Sequence, residues 1–339
     1  MQLDVRATPH TSPPRGSSVR AIAIWAGVLI VLAAGPLTLS LSAQFLVQTM
    51  IVYALFAVAT NFLVGFSGLL SFGQAVFFGF GAYSAALLWT HGFPFWPGFI
   101  IAPFMAAGVA AFVALVSLRT SRLYFALLTL GFSQLAFEIT DVLYNFTGGA
   151  TGIPGITVPN ALQGTFVNFE FVLAVAAIAT LGLYLVQRSS FGLALQAIRE
   201  NPLRAEAVGI HIYRHHVVAY VIAGFVCGLA GVLYVVYQQQ VDPSLLNWTT
   251  SGEPVLMAVL GGMGLYLGPA IGSFIYVFLE QFVGTFTTQW PLLVGAVVLG
   301  LVLLYPKGFG GGAVDFVQML RRRSEERRGL STGKETTRT

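Results

Sequence analysis

The sequence is poor in charge. Of its 339 residues, 9% are Asp, Glu, Lys or Arg, while 56% are hydrophobic and the mean hydropathy is +0.79. Soluble domains carry about 25% charged residues. Thirteen acidic and 17 basic side chains cannot cover a water-soluble protein of this length, which excludes a soluble globular enzyme. Cysteine is nearly absent: Cys227 alone lies inside an apolar run, so no internal disulfide forms and the residue reads as small packing material. The sequence has no Cys/His cluster with metal-ligand spacing and no nucleophile–base–orienter set. His211 and His215 stand four apart without a carboxylate or thiol pair nearby. No G-x-x-x-x-G-K-[ST] loop is present, so the chain does not itself use ATP through a P-loop. Ten-residue stretches of alternating polarity, the mark of a membrane β-barrel, are also missing.

What is present is a succession of long apolar runs, at 21–41, 44–64, 72–90, 98–118, 123–143, 166–187, 216–238, 253–264, 269–286 and 291–305. They predict an all-α, polytopic transmembrane helix bundle of about ten segments spanning 21–306. The first run reads as a retained helix rather than a signal peptide. Residues 1–20 read as a disordered tail and 307–339 as a charged tail. Two segments are irregular: 72–90 is rich in glycine and 253–264 is short, the marks of re-entrant or broken helices. Glycines four apart, at Gly224 and Gly228 and at Gly264, Gly268 and Gly272, predict closely packed helix faces.

Charge orients this bundle. With the N-terminus in the cytoplasm and ten crossings, all 17 Lys and Arg residues fall on the cytoplasmic side and the outer loops have none. The positive-inside rule then places both termini in the cytoplasm. The same asymmetry explains the net charge of +4 without nucleic acid. Removing one crossing would turn several basic groups outward.

Polar residues inside spans are costly in lipid and mark candidate sites. In 123–143, Gln134, Glu138 and Asp141 fall within about a 60° arc and Thr129, Ser133 and Thr140 form a second stripe. Thr129, Ser133, Gln134 and Glu138 are therefore candidate pathway residues, with a buried hydrogen-bond network as the competing role. Glu280 is a weaker case. The loop 188–215 mixes charged and apolar residues as short amphipathic helices do, and Asn201-Pro202 supplies a helix start, with Asn201 as N-cap. Leu203, Ala207 and Ile210 would share one face. Such a loop suits docking to a soluble partner that delivers force.

In that loop, Phe191 to Ile210 reads FGLALQAIRENPLRAEAVGI and resembles the cytoplasmic loop of LivM-type permeases, membrane subunits of ABC importers for branched-chain amino acids. Gly65–Gln74, Gly79–Tyr83, Thr147–Gly152, Val259–Gly264 with Gly268-Pro269, and Tyr305–Gly308 resemble other family motifs in the same order, over about residues 45–310. The resemblance implies a LivH-type permease partner, two ABC ATPase subunits that bind the ATP, and an external periplasmic or lipid-anchored substrate-binding protein. It implies no cofactor on this chain and an inner-membrane location. It also implies an ATPase-coupling loop carrying Arg199, Glu200, Asn201, Pro202, Arg204, Glu206, Ala207 and Gly209. The gap from Glu206 to Gly209 is shorter than the general importer pattern. Family members also carry urea, amides and other small compounds. The alternative is a self-contained secondary transporter or channel using intramembrane carboxylates.

Overall fold

The computed structural model describes residues 40–263, 265–286 and 289–304, together with Gly35. The two tails lie outside these residues, as does the first expected segment apart from Gly35, Ser40 and Leu41. The other nine apolar runs are all helical. Among the described residues the helices are α1 (Leu41–Asn61), α2 (Gln74–Thr90), α3 (Phe95–Ser117), α4 (Arg122–Val142), a short α5 (Tyr144–Thr147), α6 (Thr165–Arg188), α7 (Ser190–Glu200), α8 (Pro202–Ala207), α9 (Ile212–Gln238), α10 (Trp248–Gly261), α11 (Gly268–Gly284) and α12 (Trp290–Leu304). A two-residue antiparallel bridge joins β1 (Ile153–Pro154) to β2 (Gln240–Val241).

Five of these helices are long and apolar enough to cross a membrane: Leu41–Ser67, which is α1 with a π-helical extension, then α3, Leu123–Val142 in α4, α6 and α9. The remaining apolar helices are shorter. α10 has 14 residues, about 21 Å at 1.5 Å per residue, against a hydrocarbon core about 30 Å thick. The outward surface agrees with lipid. Ile100, Phe104, Phe112, Leu115, Leu127, Ile178, Leu185, Phe278 and Leu299 are exposed, and such an apolar surface is tolerated in a bilayer and not in water.

The main core surrounds α2 and α9. α2 is apolar on all sides and buries 13 of its 17 residues, as expected of a helix enclosed by others. Lipid tails give no hydrophobic drive for helix association, so close packing must hold the bundle. The glycine spacing provides it. A Cβ on Gly231 would lie 1.9 Å from the Phe78 carbonyl oxygen, and one on Gly81 would lie 2.3 Å from that of Gly228. Gly224 and Gly228 press on Ala110 and Ala106 of α3 in the same way. A smaller core of Met50, Ala57, Met257, Leu260, Tyr276, Val277, Val294 and Val298 joins α1 to α10, α11 and α12. There Gly272 abuts the Met257 carbonyl.

The bundle has a basic end. The described lysines and arginines are Arg119, Arg122, Arg188, Arg199, Arg204 and Arg214. They occupy the α3–α4 turn, the end of α6, the α7–α8 loop and the start of α9. Tyr213 Oη donates to the Leu115 carbonyl at 3.4 Å and Arg199 donates to that of Gly65, tying these ends together. The opposite end holds the β1–β2 bridge and Asp242, and has no lysine or arginine among the described residues.

Candidate functional site

Two chain segments break inside the bundle, each just ahead of one of the two irregular apolar runs rather than within it. After α1, Phe62–Ser67 forms a π-helical turn ending at Gly68, whose φ is +70°. Residues 68–73 then run without helix until α2 starts at Gln74. After α9, residues 239–247 fold back from the non-basic end through β2 and a 3-10 turn at Pro243–Leu246 before α10 starts at Trp248. The two helix starts meet halfway along α4. Ser133, twelfth of the 21 residues of α4, donates to the Leu246 carbonyl at 2.8 Å and lies 3.2 Å from the Ser251 hydroxyl. Ser251 Oγ also accepts from the Ala75 N–H at 2.9 Å. Thr129 Oγ1 accepts from the Phe72 N–H at 3.1 Å. Non-helical backbone at membrane depth has to be satisfied by protein or water, and these hydroxyls satisfy it. Ser71 and Tyr220 add a hydroxyl pair at 2.8 Å. Beside it, Gln74 is fully buried; its Oε1 faces the Cys227 thiol at 3.6 Å, while its Nε2 has no partner.

The four candidate pathway residues thus divide. Thr129 and Ser133 are wholly buried and hold the broken segments. Gln134 and Glu138 lie on the other side of α4, half-buried and exposed respectively. Gln134 Nε2 donates to Glu138 Oε1 at 2.7 Å. α4 is the least covered of the five long helices, and its buried residues are Phe125, Ala126, Thr129 and Ser133. Asp141 is half-buried near its end. Glu253 on α10 and Glu280 on α11 are both half-buried, and their helices pack against each other and against α1.

At the basic end, the 188–215 loop is two short helices. α7 buries Gly192, Leu195 and Ile198, and Gly192 is required because a Cβ there would lie 1.9 Å from the Gln187 carbonyl oxygen. Asn201 caps α8 as its sequence predicts, its side chain accepting from the Arg204 N–H at 3.0 Å with Pro202 in the first turn. Gly209 ends the loop at φ +85°. The inward residue of α8 is Ala205 rather than Leu203. Leu203 and Val208 are 78% and 76% exposed, beside exposed Arg204, Glu206, Ala207 and Gly209. Arg199 and Glu200 are exposed and Asn201 and Pro202 half-buried. The His215 ring stacks on Phe191, with centroids 5.6 Å apart. No group of His, Cys, Asp and Glu among the described residues could hold a metal ion.

Broken helices meeting at mid-depth, inside an apolar bundle with an amphipathic loop at its basic end, define a membrane permease. Residues 41–305 match the family described as "Branched-chain amino acid transport system / permease component", and the chain belongs to that family. It is a transport protein and not an enzyme. It is 27% identical over 321 residues to the high-affinity branched-chain amino acid transport system permease protein LivM of Escherichia coli, covering 86% of this chain and 76% of that one. A probable branched-chain amino acid transport permease protein LivM of Methanocaldococcus jannaschii is 28% identical over 187 residues, 53% of this chain and 54% of that one. The Escherichia coli permease protein LivH is 25% identical over 287 residues, 76% of this chain and 91% of that one. No solved structure matches the chain.

Proposed function

We propose that this chain is the LivM-type half of an ABC importer in the bacterial inner membrane, carrying branched-chain amino acids or a related small polar compound. The LivM relatives support the substrate class, and the similarity to LivH supports pairing with a second permease of the same design. In this reading the chain crosses the membrane about ten times, with the basic end and both termini in the cytoplasm. ATP is bound by two partner ATPases, and an external binding protein delivers the substrate to the other end.

One observation carries the coupling part of the proposal: α8 holds Leu203 and Val208 into solvent at the basic end, framed by Arg204 and Glu206. Apolar side chains at a water-facing end are accounted for by a protein that covers them. ATP-driven closure of the ATPases would push on this loop and switch the pathway between its outward and inward openings. Reversing Glu206 to Lys tests it. A like or unpaired charge in a desolvated contact costs several kcal/mol, while no apolar span is touched. The expected result is a permease present at normal level that loses its ATPases on purification and supports no uptake. Retention of the ATPases, with substrate-stimulated hydrolysis unchanged, would reject the loop as their docking element.

A further inference from the structure

We infer that Arg199 is a positioning residue that hands movement of the α7–α8 loop to the first broken segment and to α10, the helix that follows the second, and that its role is inside the permease rather than in the ATPase contact. The inference rests on the docking role proposed for α8. Its observations are separate from those that support that role.

Arg199 closes α7 directly after Ile198, which is buried against the bundle. The guanidinium Nη1 donates to the Gly65 carbonyl. The stem of the same side chain lies along Gly68, where a Cβ would meet Arg199 Cγ at 3.0 Å. Both ends of the side chain therefore rest on residues 65–68. This is where the helix formed by α1 and its π-helical turn ends. Helix ends leave carbonyls without intrahelical partners and carry partial negative charge, so a guanidinium is a matched cap. A π-helical turn is itself an uncommon packing of the backbone that recurs at functional sites.

The helix that follows the second break, α10, reaches the same place with its far end. Asn61 Nδ2, one turn earlier, donates to the Leu265 carbonyl at 3.3 Å. A Cβ on Gly65 would lie 2.2 Å from Asn61 Oδ1 and 2.7 Å from the Met263 carbonyl oxygen. The connection from α10 to α11 is thus pressed against the residue that Arg199 holds. The helix starts that follow the two breaks meet at Ser251, Ala75 and Ser133. A displacement of α7 at the basic end therefore bears, through Arg199 and the packing of α7 on the π-helical turn, on the first break and on the far end of α10, whose start adjoins the second. Close-packed contacts of this kind switch between arrangements rather than stretch.

The test uses the whole importer, with its ATPases, second permease and binding protein, in proteoliposomes. Arg199→Ala is expected to assemble and to keep its ATPases, because α8 is untouched. Basal hydrolysis should continue, while stimulation by leucine-loaded binding protein and leucine moved per ATP hydrolysed should each fall about tenfold, the effect of losing one charge-assisted hydrogen bond. Arg199→Lys keeps the charge at the helix end but not the fork and should recover part of that ratio. A wild-type ratio in Arg199→Ala overturns the inference, and so does loss of the ATPases, which would make Arg199 a docking contact. Should the alanine variant fail to accumulate, Arg199→Lys decides alone, and a wild-type ratio in it overturns the inference. Glu206→Lys, measured alongside, separates the two proposals. If it keeps its ATPases the docking role fails, whatever Arg199 does.

Discussion

α2 and α4 lie side by side and meet opposite surroundings. α2 buries nearly every residue, while α4 is the least covered of the long helices although it carries Thr129, Ser133, Gln134 and Glu138. In water, the more apolar α2 would be buried too, but for a different reason. In a bilayer, apolar surface gains nothing by leaving lipid, and closeness of approach decides which helix becomes central. Gly79, Gly81, Ala82, Ser84, Ala85 and Ala86 let α3, α9 and the 3-10 turn at Pro243–Leu246 close around α2. α4 has one stripe of hydroxyls to satisfy the broken backbone, and its other polar residues are left on a face that the described residues do not cover. A carboxylate on such a face is costly wherever it meets lipid.

The comparison breaks most sharply at the α2–α9 contact. In Gly231→Val the new side chain would begin 1.9 Å from the Phe78 carbonyl oxygen, and two backbones must separate to admit it. A cost of about 3 kcal/mol or more is expected for such overpacking, seen as little folded protein after extraction and a lowered Tm in what remains. A wild-type Tm would mean that α2 is not held by backbone approach.

A smaller effect is expected where the two helices share a knot. Ser251→Ala removes the acceptor of the Ala75 N–H and the neighbour of Ser133. Leaving a buried donor unsatisfied costs about 1–3 kcal/mol, read as a fall in Tm with the protein still assembled. An unchanged Tm would show that these hydroxyls are not what holds the break.

On the open face of α4, Glu138→Gln should leave stability unchanged and reduce uptake. The shape and the contact with Gln134 are retained and only the charge is lost. Uptake and assembled protein are measured together. A parallel loss of both would make Glu138 a structural residue, and wild-type values for both would remove it from the pathway.

Length and hydropathy of the apolar runs determined where nine described helices lie, because each must hold its backbone hydrogen bonds internally wherever it runs in lipid. Arginine placement determined which ends share a side. The glycine faces at Gly224 and Gly228 and the Asn201-Pro202 helix start were legible because their physics is local. The irregular composition of 72–90 and 253–264 pointed near the breaks, but the structure puts them ahead of these segments, at 62–73 and 239–247, and runs 74–90 and 248–261 as continuous helices. Tertiary structure alone decided that these breaks meet at Ser133, that the helices of Glu253 and Glu280 pack together, and that Leu203 points outward while Ala205 points in. Arg199 looked like one more charge in a docking loop, and its hold on Gly65 spans 134 positions in the chain. Periodicity reports which residues share a face of one helix. Which neighbour covers that face depends on contacts distant in sequence, and in lipid hydropathy no longer tells the covered faces from the open ones.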